Sequence, residues 1–265
     1  MSAYNNITLP SPHKIIKIIH ETKAEYTFRV KCDAQVNHGQ FFVLSIPKIG
    51  EAPISVSSHG EGYVEFTIRK VGKLTDGLFG MDEGDTLFMR GPYGNAFPVE
   101  DFKGKHLVVI AGGTGMAPVR SMLQHFYNHM DEIASVHFIV GFKDRDAVLF
   151  EEDLAKFKDK FHTTYCLDNM EAEGFKKGFV TEYVKQVPFN EMEDYNVVIV
   201  GPPAMINFTA KACTGMNVPE EKIWVSFERK MSCSVGKCGH CKINETYVCL
   251  EGPVFNYVKA KKLLD

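Results

Sequence analysis

From about residue 14 to residue 92, apolar and polar positions alternate with a period of two. In "EYTFRVK" Tyr26, Phe28 and Val30 alternate with Thr27, Arg29 and Lys31, and in "YVEFTIRK" Val64, Phe66 and Ile68 alternate with Glu65, Thr67 and Arg69. This pattern predicts strands that bury one face only. "KIIKIIH", "GQFFVLSIP", "APISVS" and "DTLFMRG" are strand-like too, with Gly, Pro and Asp turn signals between them. About six short antiparallel strands at this spacing predict a small barrel. One short helix, at "LTDGLFGM", interrupts them.

The period then changes. "KHLVVIAGGTGMAPVRSMLQHFYNHM" is an apolar run, a glycine turn and a segment with Val119, Met122, Leu123, Phe126, Tyr127 and Met130 at helical spacing. "SVHFIVGF", "FHTTYCLD", "YNVVIV" and "KIWVSF" read as further strands, and "AVLFEEDLAKFK", "GFVTEYVKQV" and "PPAMINFTAKAC" as helices. Strands alternating with helices predict a parallel sheet covered on both faces. From Glu228 onward Gly, Cys and Lys dominate and no periodicity survives, so this part needs a staple to be ordered. The fold class is therefore β plus α/β, in three parts: a barrel over 1–100, a nucleotide-type α/β domain over 101–227 and a small metal-binding segment over 228–265.

Composition narrows the function. The 265 residues are 45% hydrophobic, enough to fill real cores, and 30 Lys+Arg against 33 Asp+Glu leave a net charge of -3. No basic excess points to nucleic acid and no polybasic run to a membrane. "MSAYNNITLPSPHK" has no apolar core of a signal peptide, and runs such as "LVVIA" are too short to span a bilayer, so a cytoplasmic location is expected. Thiols stay reduced there. An odd set of seven cysteines, four of them at Cys233, Cys238, Cys241 and Cys249, then argues for metal rather than disulfides. Cys32, Cys166 and Cys213 stand alone in apolar or mixed contexts and read as plain thiols.

Three stretches carry chemistry. "AGGTGMAP" ends an apolar strand and opens a helix, where glycines let backbone N–H groups and the helix dipole approach a pyrophosphate. Pro118 suits the first helical turn, although it takes the place of the third glycine of G-x-G-x-x-G, and a plain tight turn is the alternative. "VGPPAM" closes a later strand of the same sheet, where ligands lie in open parallel sheets; its prolines also fit simple loop stiffening. The cysteines follow C-x4-C-x2-C-x7-C, and the first intervals are those of a plant-type [2Fe-2S] loop, with Gly236 and Gly239 inside it. Zinc is the rival, since C-x2-C is also a zinc knuckle and His240 lies between two cysteines. Zinc sites, however, usually show two short-spaced ligand pairs, whereas here three ligands bunch in one loop.

The order "APISVS", "IRKVGKLT", "GPYG", "AGGTGMAP", "VGPPAM" and a final four-cysteine loop resembles the ferredoxin-NADP reductase superfamily over nearly the whole chain. It looks most like the branch of electron-transfer subunits that serve dihydroorotate dehydrogenase, sulfhydrogenase (as its gamma subunit) and anaerobic sulfite reductases. "GEAPISVS", "GGTGMAPV", "ERKMSCSVGKCGHC" and "GPVFNY" are most similar to the last of these.

The resemblance implies FAD on the barrel. Pro53, Ile54 and Ser55 match the family's flavin segment, with Ser55 near the reacting ring nitrogen and Ile54 where an aromatic residue is usual. Ala52 replaces the usual Arg, and Arg69, beside Ile68 on the next strand, is the candidate substitute. Gly72, Leu74 and Thr75 match the second flavin loop, and Thr75 also reads as the N-cap of the short helix. On the α/β domain, Gly112, Gly113, Thr114, Gly115, Ala117 and Pro118, with Gly201, Pro202 and Pro203, are the implied coenzyme contacts. Val200 stands where many relatives carry a Cys close to the hydride path. No side chain is needed as acid or base for direct hydride transfer, so Ser55 and Val200 would only position the reactants. In "GFKDRDAVLF" Asp144 and Asp146 would accept from a free ribose 2′-OH, while the interleaved Lys143 and Arg145 could instead favour a 2′-phosphate; the resemblance implies NADH rather than NADPH, with Asp146 as the ribose contact.

The implied activity is an NAD(P)H-dependent flavin and iron-sulfur oxidoreductase subunit, with Cys233, Cys238, Cys241 and Cys249 holding the cluster. No residue set for reducing sulfite is visible. The expected partners are a sulfite-reducing catalytic subunit and an iron-sulfur electron-transfer subunit. The alternatives are the corresponding subunit of dihydroorotate dehydrogenase or of a sulfhydrogenase, and a non-enzymatic flavin- or zinc-binding module.

Overall fold

Six strands close into an antiparallel barrel: β1 (Ser11–His20), β2 (Glu25–Lys31), β3 (Phe41–Ile46), β4 (Gly50–Gly60), β5 (Tyr63–Arg69) and β6 (Thr86–Tyr93). Their order around the barrel is β1-β2-β5-β4-β3-β6. This is a computed structural model, and it describes residues 8–227 and 229–263. Helix α1 (Lys73–Leu78) interrupts the strands where a short helix is expected. The inward set includes Phe28, Val30, Phe42, Leu44, Val64, Phe66 and Ile68, with Phe42 and Phe66 edge to face at 5.6 Å.

The other face of β2 and β5 departs from the alternation. It is polar but not wet: Glu25, Thr27, Glu65 and Thr67 are all buried. They bury because partners on neighbouring strands satisfy them, Arg69 at Glu25, Arg29 at Glu65 and the two threonines each other. The Thr67 hydroxyl donates to Ser57 Oγ at 2.9 Å and meets Thr27 Oγ1 at 2.8 Å, and Arg29 donates to Glu65 at 2.8 Å while lying over the Tyr63 ring.

After α2 (Val99–Phe102) the chain builds a sheet from β7 (His106–Gly112), β8 (Ser135–Phe142), β9 (His162–Leu167), β10 (Lys176–Lys177), β11 (Tyr195–Val200) and β12 (Ile223–Ser226). Helices α3 (Met116–Asn128), α4 (Glu151–Phe157), α5 (Val180–Tyr183) and α6 (Pro203–Gly215) accompany them. In α3 Val119, Met122, Leu123 and Phe126 are buried, the spacing of one helical face. Two helices are shorter than the sequence predicts. α4 begins at Glu151 rather than Ala147, because Asp144 closes a 3-10 turn by accepting the Ala147 N–H and Phe150 is left-handed at φ 56°. "GFVTEYVKQV" divides into α5 and a 3-10 turn, Val184–Gln186, which points Val184 and Val187 to the same side.

The cysteine-rich segment has little regular structure: β13 (Lys242–Ile243), β14 (Thr246–Tyr247) and α7 (Val248–Glu251). Then comes β15 (Val254–Asn256), followed by α8 (Tyr257–Ala260). β15 pairs antiparallel with β12, so the full sheet order is β10-β9-β8-β7-β11-β12-β15. The chain therefore falls into two compact units that do not follow three consecutive blocks. One holds the chain through Ala96 plus the segment ending at Pro253; the other holds Phe97–Phe227 plus the chain from Val254. The stretch 228–265, expected as a single segment, divides because its apolar tail "VFNY" has a strand to pair with and its cysteine loop does not. Among the described residues no helix is long and apolar enough to cross a membrane.

His137 on β8 stacks on His162 of β9, with ring centroids 4.4 Å apart. Burial, then the nearby His162 and His106, lowers its pKa to about 4. An unfolded chain protonates this histidine near 6.5, so its contribution to stability is complete above that pH and is lost as pH falls toward 4. The urea midpoint of the wild-type chain should fall between pH 6.5 and 4, and His137→Gln should flatten that fall; equal slopes would contradict this assignment.

Candidate functional site

The sheet topology creates the first site. From β7 the chain moves outward through β8 and β9, then returns to lay β11 on the other side of β7 and β12 beyond it. Ligands bind beyond the carboxyl ends of strands at such a reversal, between β7 and β11. The two glycine-containing loops predicted from sequence both leave from this point. Gly112 ends β7, Gly113, Thr114 and Gly115 form a 3-10 turn, and α3 follows with Ala117 and Pro118 buried in its first turn. On β11, Val200 is the last residue; Gly201 follows, Pro202 is the N-cap of α6 and Pro203 its first residue.

Gly115 is required by the closeness of backbone, and Gly112 lies against a flexible side chain. A Cβ on Gly115 would lie 2.5 Å from the Val200 carbonyl oxygen, and one on Gly112 would lie 2.3 Å from Met205 Sδ. Gly113 is left-handed at φ 53° with open space where a Cβ would be. The two loops thus touch through backbone, and Gly113 presents bare backbone outward, a cradle suited to a pyrophosphate.

Beyond the ends of β8 and β9 lies a group of carboxylates. Asp144 caps the 3-10 turn, Arg145 donates to Glu151 at 2.5 Å, and Asp146 is exposed. Asp168 joins them: burial, then the charge of Asp144, raises its pKa. Sequence reading missed Asp168 because it lies outside the motif, one residue past the end of a strand.

The implied flavin residues lie on the barrel. Ala52, Pro53, Ile54 and Ser55 form a half-buried row on β4. The side chain of Ile68 is in the barrel core, 1% exposed, leaving only its backbone for a ligand. Arg69 is half exposed, and its Nε donates to the buried Glu25 at 2.5 Å. Leu74 packs against the barrel core. Thr75 is not the N-cap of α1; Gly72 is. From the third helical position the Thr75 hydroxyl accepts the N–H groups of Val71 and Gly72 at 2.8 and 2.9 Å, fixing the loop shape.

The cysteine loop belongs to the same unit as the barrel. Its four sulfurs lie near one another: Cys238 hydrogen-bonds to Cys233 and Cys249 to Cys241, and the charge of Cys233 also reaches Cys249. Two thiolates for each of two irons is the arrangement of a [2Fe-2S] centre. Other features fit that group. The N–H groups of Lys237 and Cys238 donate to Cys233 Sγ, and that of Gly236 to Cys249 Sγ, all at 3.3 Å. Gly236 is left-handed, and a Cβ there would lie 2.3 Å from Leu250 Cδ1. The Ser234 hydroxyl is buried with no hydrogen-bond partner among the described residues, and a sulfur at the loop's centre would accept from it. His240 is exposed outside both pairs. Cys32, Cys166 and Cys213 are buried, and burial pushes the last two up to about 12.

Two anchors hold this loop to the barrel. At its start, Arg90 on β6 donates to the carbonyls of Ser232 and Cys233 at 2.7 and 2.8 Å. At its end, the Asn95 N–H donates to Gly252 O at 2.7 Å, and its side chain donates to Glu251 O at 3.0 Å. Gly94 allows that approach, since a Cβ there would lie 2.7 Å from Gly252 O.

Hydrogen bonds from the backbone of Cys233 and His240 lower the Cys238 thiol to about 7, whereas burial, then the Cys241 thiol, pushes Cys249 up to about 12. In metal-free protein, iodoacetamide should therefore modify Cys238 first, with a rate that rises through pH 7, and mass spectrometry that found Cys249 leading would contradict this. Gly115→Ala should weaken NADH binding at least roughly tenfold, about 1.4 kcal/mol, in an equilibrium titration. Gly215→Ala, whose Cβ meets nothing, should leave binding unchanged.

Comparison with known proteins agrees with this arrangement. The family model of the oxidoreductase NAD-binding domain matches residues 109–211, and that of the iron-sulfur cluster binding domain of dihydroorotate dehydrogenase B matches residues 228–261. Sulfhydrogenase 2 subunit gamma of Pyrococcus furiosus is 32% identical, with 92% of this chain and 93% of that one covered. The probable electron transfer subunit of dihydroorotate dehydrogenase B from Methanocaldococcus jannaschii is 33% identical over 91% of this chain and 88% of that one. A solved NADH-dependent reduced ferredoxin-NADP oxidoreductase shares the fold, with a TM-score of 0.78 at 22% identity over 95% of this chain and 92% of that one. These relatives support the electron-transfer branch, and not sulfite reductase specifically. The chain belongs to the family of NAD-binding, iron-sulfur electron-transfer subunits represented by sulfhydrogenase subunit gamma and the electron transfer subunit of dihydroorotate dehydrogenase B.

Proposed function

We propose that this chain takes electrons from NADH and delivers them singly, by way of FAD and a [2Fe-2S] cluster, to a catalytic partner subunit. The observation that carries this reading is the pairing of four sulfurs on a loop bonded to the wall of the barrel that bears the Ala52–Ser55 row. Bound FAD would accept a hydride and release its electrons one at a time, which is the step the cluster requires.

The chain supplies geometry and electrostatics. Gly112, Gly113, Thr114 and Gly115 present backbone to the coenzyme pyrophosphate, and Gly201, Pro202 and Pro203 hold the adjoining loop against them. Asp144, Asp146 and Asp168 disfavour a 2′-phosphate, and pairing with Glu151 removes Arg145 as a phosphate partner, which supports NADH. On the barrel, Pro53, Ile54 and Ser55 offer a half-buried wall to the flavin ring, and the loop closed by Thr75 brings Gly72 beside it. The half-exposed guanidinium of Arg69, oriented by Glu25, takes the place of the family's Arg at Ala52.

The acceptor is read as the catalytic subunit of a hydrogenase-type or dihydroorotate-oxidising assembly. Relatives of those kinds share about a third of their residues over nine-tenths of this chain, while likeness to sulfite reductase rests on four short strings.

An anaerobic titration with NADH, followed by absorbance and EPR, tests the proposal. Flavin bleaching together with a reduced [2Fe-2S] signal is expected, with kcat/KM for NADH at least roughly tenfold above that for NADPH. Bleaching without a cluster signal would leave a simple flavin reductase, and a preference for NADPH would overturn the coenzyme assignment.

A further inference from the structure

Arg90 has an unusual position for a cation. Its side chain is 6% exposed, in the wall of a barrel whose interior is apolar. A guanidinium in such a place is costly unless its donors are taken, and here they are. Nη1 donates to Cys233 O at 2.8 Å and reaches Tyr93 Oη at 3.4 Å; Nη2 donates to Ser232 O at 2.7 Å and to Glu51 at 2.8 Å. Two of these acceptors are consecutive carbonyls of the cysteine loop, one belonging to a cluster ligand itself. A third, Glu51, sits on β4 directly before the Ala52–Ser55 row.

Three strands make this a bridge. In register, Arg90 of β6 stands opposite Val43 of β3, and Val43 stands opposite Pro53 of β4. Across this width Arg90 joins the strand that carries the flavin residues to the loop that carries the first cysteine. Its planar fork suits the task, since one group must meet two carbonyls and a carboxylate in fixed directions. A lysine ammonium keeps the charge but not the fork.

Charge matters as much as shape. Reduction of a four-thiolate [2Fe-2S] centre adds one electron and no proton and breaks no bond, so the loop gains a full negative charge. A desolvated cation hydrogen-bonded to a ligand residue stabilises the reduced form more than the oxidised one. Glu51, the half-exposed partner of that cation, acts in the opposite sense.

We propose that Arg90 is a positioning residue of the cluster: it fastens Cys233 to the flavin-bearing strands and raises the cluster's reduction potential, with Glu51 as its counterweight. This rests on the iron-sulfur reading given above.

The test uses the full chain reconstituted anaerobically with iron, sulfide and FAD, comparing Arg90→Gln, Arg90→Lys and Glu51→Gln with wild type. An EPR-monitored redox titration should show the cluster roughly tenfold harder to reduce in Arg90→Gln, about 59 mV for one electron, and easier to reduce in Glu51→Gln. Iron release to a chelator should be several-fold faster in both Arg90 variants, including Arg90→Lys, while flavin content stays unchanged. Should Arg90→Gln fail to fold, the upward shift in Glu51→Gln and the iron release of Arg90→Lys decide the matter. Potentials and release rates equal to wild type in folded, flavin-loaded variants would overturn the role of Arg90 alone. A wild-type chain that gave no [2Fe-2S] signal would overturn the iron-sulfur reading, and this one with it.

Discussion

The organisation of the first unit depends on how a loop without a core satisfies its backbone. Strands of two residues and a helix of four cannot pair the carbonyls of the cysteine segment internally. Donors must come from the barrel, and they come at both ends, from Arg90 at the entry and Asn95 at the exit. The guanidinium needs acceptors for its own reasons, since burial removes its water. Each side solves the other's problem, and the cysteine sulfurs are placed as a result.

The second unit is governed by a different constraint, the close approach of backbones. Its strands are buried on both faces, so periodicity within them carries little information and specificity moves to the loops at their ends. There, glycine is the residue that lets two loops touch. Gly115 against the Val200 backbone leaves no room for a methyl group. The binding edge is therefore built from absent side chains, and the first unit from charged and sulfur-bearing ones.

Much of this was legible in the sequence because it depends on local patterns. Period-two alternation marks the six barrel strands, a glycine turn between an apolar run and a helical face marks the passage from β7 to α3, and the cysteine intervals mark the segment that matches an iron-sulfur binding domain. What escaped depends on contacts between distant residues. Glu65 reads as exposed and is buried, because its partner Arg29 is on the neighbouring strand. Thr75 reads as an N-cap, but its hydroxyl reaches back from the third helical position. Arg90 is one cation among many in the sequence, and only a loop more than 140 residues away gives it a role. "PVFNY" is too short to show a period, and it pairs because β12 offers a free edge.

That last pairing has a topological consequence. Ser226 stands opposite Val254 on adjacent antiparallel strands, so everything between them is, in connectivity, the long loop of a β-hairpin. Both ends of the cysteine segment are closed by the backbone hydrogen bonds of the sheet, which offset the entropy of closing so long a loop. The redox module is an insertion. A short turn in its place would still complete the hairpin, so the sheet does not depend on the segment, whereas the barrel would lose two of the acceptors of its buried Arg90.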